Sequence, residues 1–176
     1  MVVLSLPGDA KVRRREAEKA AGILGCELRV IMEDGKRRIE DLKSYELVAM
    51  IDREVKELEP DAMLTHGPSE FHRDHVLVHE ACVSSQRLRY FDFFTYQPNF
   101  CRPVPVAFHP KAYVDISETI ETKIAALRCH ASQLGDEPVD DWIRSRAKER
   151  GAARGLEYAE CFKTFRLKDE DEIETV

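Results

Sequence analysis

The sequence predicts an α/β fold, a Rossmann-like and mostly parallel sheet with helices on both faces. Two observations carry that expectation. The first half of the chain alternates short apolar runs rich in β-formers with longer stretches whose apolar residues recur at helical spacing, an order that produces parallel strands joined by crossover helices. Turn and cap residues also fall between these segments, where such connections need them.

Val2 to Leu6 reads as a buried strand closed by Pro7-Gly8. Asp9 is placed to cap a helix over about residues 10–24, with Val12, Ala20, Ile23 and Leu24 as its apolar positions and Gly25 at its end. Leu28 to Met32 is the second strand, and Asp34-Gly35 marks a turn. Ser44 is expected to cap a helix over about residues 45–58, in which Leu47, Val48, Ile51, Val55 and Leu58 form one face and which Pro60 stops. Asp61 to His66 is the third strand, followed by a helix over about residues 74–88. Phe91 to Tyr96, Val104 to Phe108 and Ala112 to Val114 read as further strands. Ser117 is expected to cap a helix over about residues 118–131 carrying Ile120, Ile124 and Leu127. A last helix over about 139–150 and a strand near 162–167 complete a single domain over residues 1–167, and residues 168–176 form an acidic tail.

Composition narrows the function classes. With 43% hydrophobic and 34% charged residues, the 176-residue chain has the make-up of an ordinary globular domain. Its formal net charge of -6 argues against a nucleic-acid partner, which needs a basic field. The run Arg13-Arg14-Arg15 lies in a helical pattern beside Glu16 and Glu18 and reads as a solvated helix face. Five widely spaced cysteines without a Cys-x-x-Cys pair argue against a disulfide framework or a thiolate zinc site. They fit reduced thiols, with Cys129 and Cys161 as core positions. No apolar run reaches the ~18 residues of a membrane span. Residues 1–9 lack the marks of a signal peptide, so a cytoplasmic location is expected.

Most of the chemistry is concentrated in Thr65-His66-Gly67-Pro68-Ser69-Glu70-Phe71-His72-Arg73-Asp74-His75, directly after the third strand. Ligands in parallel sheets bind beyond the carboxyl ends of the strands, which is where this loop lies. Imidazole and carboxylate groups serve both as zinc ligands and as general acids and bases. For His75 the alternatives are a metal ligand or a histidine whose charged form meets Asp74. A shared site with His79, four residues on, lacks the intervening Glu of a helical metalloprotease motif, and His79 reads as a structural histidine. His72 and Asp74 are either an acid/base pair or, for Asp74, a helix cap. His66 is either a group that binds substrate or a structural strand-end residue. The segment alone does not supply the three protein ligands that a catalytic zinc needs.

Several pieces occur in the same order as in one known family. Arg13-Arg14-Arg15-Glu16-Ala17 leads to Leu24-Gly25, Pro60-Asp61-Ala62 leads to His66, and His72-Arg73-Asp74-His75 follows. Val114-Asp115-Ile116-Ser117, Lys123, His130-Ala131-Ser132-Gln133 and Tyr158-Ala159-Glu160-Cys161-Phe162 come later. Together they resemble the zinc-dependent N-acetylglucosamine deacetylases of the PIG-L, or LmbE-like, family, across nearly the whole chain. The resemblance implies a metal-dependent hydrolase that removes an acetyl group from an N-acetylated amino sugar or glycoconjugate. It implies His75 as a zinc ligand, His72 as the group that stabilises or protonates the tetrahedral intermediate, and Asp74 as a residue that orients its neighbours.

One departure shapes the expectation. Family members begin with a strand ending in His-Pro-Asp-Asp-Glu, the source of two further zinc ligands and the general base, and this sequence has no such motif. Its first strand matches the family's second, so the expected fold lacks a first strand–helix unit and the zinc site is incomplete. Little or no deacetylase activity is then expected of this chain alone. The alternative is a non-catalytic form of the fold that acts as a partner-binding or dimerising module, with a homo-oligomer as one expected assembly.

Overall fold

The computed structural model describes residues 2–6, 8–32, 37–68, 70–96 and 108–167, with backbone alone at residues 3–5 and 166. The elements, in chain order, are β1 (Val2–Ser5), α1 (Ala10–Leu24), β2 (Arg29–Met32), a 3-10 turn (Ile39–Asp41), α2 (Ser44–Leu58), β3 (Ala62–His66), α3 (Arg73–Ser85), β4 (Asp92–Tyr96), β5 (Ala112–Asp115), α4 (Ile120–Arg128), α5 (Ala131–Leu134), α6 (Val139–Ala152) and β6 (Ala159–Arg166). The predicted α/β class, with parallel pairing and helices on both sides, is therefore present. β1 pairs parallel with β2, and a second sheet has the order β3-β4-β6-β5. β3 and β4 run parallel, whereas β6 returns antiparallel to β4, so this sheet is mixed.

The chain divides into two compact units, one made of Met1–Asp41 and Val114–Glu160, the other of Leu42–Tyr113 and Cys161–Val176. In the first, Ile116, Ile120, Ile124, Val139, Ile143 and Ala147 form a buried cluster against which Leu127, Leu134 and Tyr158 pack. In the second, α2 packs on α3, burying Leu47, Ile51, Val55, Ala81 and Cys82, with Phe91 and Phe93 also buried.

Local chemistry explains most element boundaries and corrects some expectations. Asp9 caps α1, its Oδ1 accepting from the amides of Lys11 and Val12 at 3.1 Å. The face that α1 buries is not the bulky one: Ala17, Ala20, Ala21 and Glu16 are buried, while Val12, Ile23 and Leu24 are exposed. Glu16 therefore leaves the solvated face expected for the arginine run. Ser44 is the first residue of α2 rather than its cap; Glu46 instead accepts from the amide of Lys43 at 2.9 Å. Glu59 ends that helix in the left-handed region at φ 43, where Pro60 prevents continuation. Ser117 also caps no helix: its amide and hydroxyl both donate to Asp115, and Thr119 occupies the cap position of α4. Cys129 and Cys161 are half-buried rather than core residues. The strand expected at Val104–Phe108, the Asp34-Gly35 turn and the acidic tail fall largely or wholly outside the described residues. No described helix is long and apolar enough to cross a membrane.

Candidate functional site

The second unit gathers the histidines of the Thr65–His75 segment at the carboxyl ends of β3 and β4. In the parallel register His66 lies opposite Tyr96, and paired positions of neighbouring strands share a face. The Tyr96 hydroxyl is 3.3 Å from His66 Nε2, with the rings edge to face. α3 then begins at Arg73, so His72 takes the N-cap position without a side-chain cap bond, and Asp74 falls in the first turn. The cap expected of Asp74 is thus not made, though a carboxylate in a first turn meets the positive end of the helix dipole.

The geometry of α3 explains the clustering. His72 and His75 are three residues apart, and residues at that spacing share a helix face. Their ring centres are 4.7 Å apart. On the other side, the His75 ring lies flat on that of His66, with centres 3.7 Å apart and planes 4° from parallel. His79, one turn further, is buried and donates from Nδ1 to the His66 carbonyl at 2.9 Å. Its ring meets the edges of Phe93 and Phe165. His79 is accordingly a structural histidine, as expected from the missing Glu of a metalloprotease motif, and ties α3 to the end of β3.

Two residues that the sequence reading left without a role belong to the cluster. Glu70 Oε2 is 3.7 Å from His75 Nδ1, and Tyr96 contacts His66 as described. Glu70 had a visible signal, its place in the histidine loop. Tyr96 became visible only once the β3–β4 register was known. Asp74 lies 4.0 Å from His72 Nδ1.

Burial sets the charge state. Desolvation, aided by the neighbouring histidines 75, 72 and 79, lowers the His66 pKa to about 3. Desolvation also lowers His75 and His79, and in each it exceeds the help of nearby carboxylates. Glu70 is raised by burial, against the pull of His72. Tyr96 is raised to about 12, again mainly by burial, so its hydroxyl keeps its proton. Burial thus favours the uncharged form of His66, His75 and His79. The Nδ1 atoms of His66 and His75 are buried without a hydrogen-bond partner among the described residues. A native protein ordinarily satisfies such atoms, and exceptions concentrate at sites of function.

Neutral imidazole is the form that binds zinc, but the arrangement of the rings does not fit one. Nitrogen lone pairs lie in the ring plane, and two nearly parallel planes 3.7 Å apart offer no common point at the ~2.0–2.1 Å that a zinc–nitrogen bond requires. Among the described residues, no three histidine, cysteine or acidic side chains are placed to hold a metal ion. The described residues thus do not fit a resident zinc. They do provide a compact array of imidazole donors and acceptors, in which His72 is exposed.

The later pieces of the sequence pattern belong to the first unit and bind one another. Glu16 accepts from both the amide and the hydroxyl of Ser132, each at 2.7 Å, and Lys123 pairs with Glu160.

A mixed α/β fold with its histidine loop at the ends of parallel strands is the LmbE-like fold, and comparison with solved structures bears this out. A conserved protein from Thermus thermophilus aligns at 21% identity and a TM-score of 0.76, over 94% of this chain and 81% of its own. N,N'-diacetylchitobiose deacetylase from Pyrococcus horikoshii aligns at 20% identity and 0.74, over 93% and 71%. GalB, the 4-carboxy-2-hydroxymuconate hydratase from Pseudomonas putida, aligns at 18% and 0.72, over 94% and 84%. The family model that matches is PIG-L, described as GlcNAc-PI de-N-acetylase, over residues 5–85. That match spans the whole histidine cluster except Tyr96.

Proposed function

We propose that this protein is a deacetylase of the PIG-L class whose site takes an N-acetylated amino sugar or a glycoconjugate carrying one. The observation that carries the reading is the meeting of His66, Glu70, His72, Asp74, His75 and Tyr96 at the strand ends, all but Tyr96 within the stretch that matches the PIG-L family model. The same fold in a hydratase makes the fold by itself insufficient to choose a reaction, so the weight rests on these side chains.

Loss of an acetyl group from an amide needs a group that protonates the departing nitrogen. His72 is the exposed imidazole of the cluster, with Asp74 4.0 Å from its Nδ1, and an imidazole is the commonest general acid. The buried His66 ring holds the plane of His75 by stacking. His75 is the imidazole we propose as a zinc ligand, one that the described residues alone leave without the further donors a zinc needs. Since the described residues supply no second and third ligand in place, we expect turnover far below the ordinary 1–10³ per second, roughly, of an enzyme.

Acetate release and sugar binding test the two parts together. With N-acetylglucosamine and zinc present, the account expects sugar binding that His72→Ala and His66→Ala weaken, and slow acetate release. Neither binding nor release would refute the class. Release at an ordinary enzymatic rate would refute the incomplete site. Zinc content unchanged by His75→Ala would refute that ligand assignment. The alternative, a non-catalytic module that binds a partner, draws on one observation, the lack of a third metal donor among the described residues.

A further inference from the structure

We propose that Arg73 sets the specificity of the site by pairing with an anionic group of the substrate, a carboxylate or a phosphate carried by the amino sugar or its aglycone. The proposal rests on the deacetylase reading, whose substrate class it narrows.

The surroundings of Arg73 carry the argument. It is the first residue of α3, set between His72 and Asp74 of the cluster. Of the other arginines in the second unit whose side chains are described, Arg53, Arg87 and Arg89 each pair with a carboxylate. Arg73 is exposed and makes no hydrogen bond or ion pair among the described residues. The carboxylates nearest it in the chain face the histidines instead: Glu70 lies 3.7 Å from His75 and Asp74 lies 4.0 Å from His72.

The place is also unfavourable for a cation. The start of a helix is the positive end of its dipole, so acids stabilise the first turn and cations the last. α2, α4 and α6 keep to this rule, with acids in the first turn and Lys56, Arg128 and Arg150 in the last. α3 puts an arginine at its first position and has no basic residue in its last turn. No ion pair offsets that cost. A residue that works against its own helix without compensation in the fold is expected where it serves a function.

An anion is the partner that Arg73 lacks. The planar guanidinium fork matches two oxygens of a carboxylate or a phosphate, and such charge-assisted bonds are about twice as strong as neutral ones. Arg73 adjoins the exposed His72. A sugar whose acetamide meets His72 can therefore offer a charged substituent to the neighbouring side chain.

The test is titration calorimetry of wild type, Arg73→Gln and Arg73→Lys with N-acetylglucosamine, N-acetylglucosamine 1-phosphate and N-acetylmuramic acid. Wild type should bind at least one of the two anionic sugars about tenfold more tightly than the neutral one, and added salt should narrow the difference. The phosphate and the carboxylate probes tell the two anions apart. Arg73→Gln should abolish the preference and leave the affinity for N-acetylglucosamine unchanged. Arg73→Lys, which keeps the charge without the fork, should retain part of it. Equal binding of all three sugars by wild type overturns the role of Arg73 and leaves the deacetylase reading in place. So does a preference that survives in Arg73→Gln. If none of the sugars binds, the reading and the role of Arg73 fail together. Arg73→Gln should also melt at or above the wild-type temperature. A lower melting temperature would mean that the fold itself uses Arg73 and would overturn the proposal.

Discussion

The two units of the chain treat their buried polar groups in opposite ways. In the first, the Glu16 carboxylate is buried with each oxygen accepting a hydrogen bond from Ser132. In the second, His66 and His75 each bury an Nδ1 that no group among the described residues satisfies. A satisfied buried polar group holds a structure together, whereas an unsatisfied one lowers stability and persists where it has another use. This difference separates Glu16, which braces its unit, from His75, which we propose as a site residue.

Several variants can break or sharpen that contrast. The largest effects should come from the apolar cores, where the two units behave alike. Phe93→Ala, at a fully buried position beneath His79, should cost about 3–5 kcal/mol in denaturant unfolding. Ile143→Ala, in the cluster of the first unit, should cost about 2–5 kcal/mol. Equal stability of either variant and the wild type would mean that these clusters are not the cores described. Gly151→Ala should follow. A Cβ there would stand 2.6 Å from the Leu156 carbonyl oxygen, a backbone atom that cannot swing aside. We expect a loss of about 1–3 kcal/mol, measured the same way.

The polar groups then separate the units. Glu16→Gln should lower the melting temperature. His66→Phe, which keeps a flat ring on His75 and removes the unsatisfied nitrogen, should leave it unchanged or raise it. The reverse order would remove the basis of the contrast.

Acid should affect both groups, over different ranges. His66 stays uncharged in the folded protein down to about pH 3, while in the unfolded chain it takes up a proton near its ordinary 6.5. The unfolded state thus binds more protons below 6.5, and stability falls as pH drops from there toward 3. Glu16 has its pKa lowered by the Ser132 bonds, so its contribution is present above the ordinary 4.5 and is lost below it. His66→Phe should flatten the upper part of an acid unfolding profile and Glu16→Gln the lower part. Profiles that overlay the wild type would contradict these assignments.

The order of elements was legible in the sequence because hydrophobic period and turn chemistry are local signals. Asp9, Gly25 and Pro60 mark boundaries that the structure keeps. Ser44 and Ser117 misled because each lies one or two residues from the actual cap position, which Lys43 and Thr119 occupy, and Ser117 is itself held by Asp115. The buried face of α1 was misread because three alanines and a glutamate, rather than Val12, Ile23 and Leu24, fit against neighbours at close range. At the site, His72 and His75 were legible as members of one histidine-rich segment after the third strand. Their meeting with His66 was legible only as a shared sheet edge. Tyr96 was out of reach, since a partner 30 residues away is selected by strand register, which the sequence does not display.

The most direct test of the central claim is an NMR titration of the labelled protein with N-acetylglucosamine, following the histidine rings and the Ser132 amide together. The account predicts that the resonances of His66, His72 and His75 move on binding while the Ser132 amide, bonded to Glu16, stays in place. Movement of Ser132 with the three histidines unmoved would contradict it and would put the binding site in the other unit.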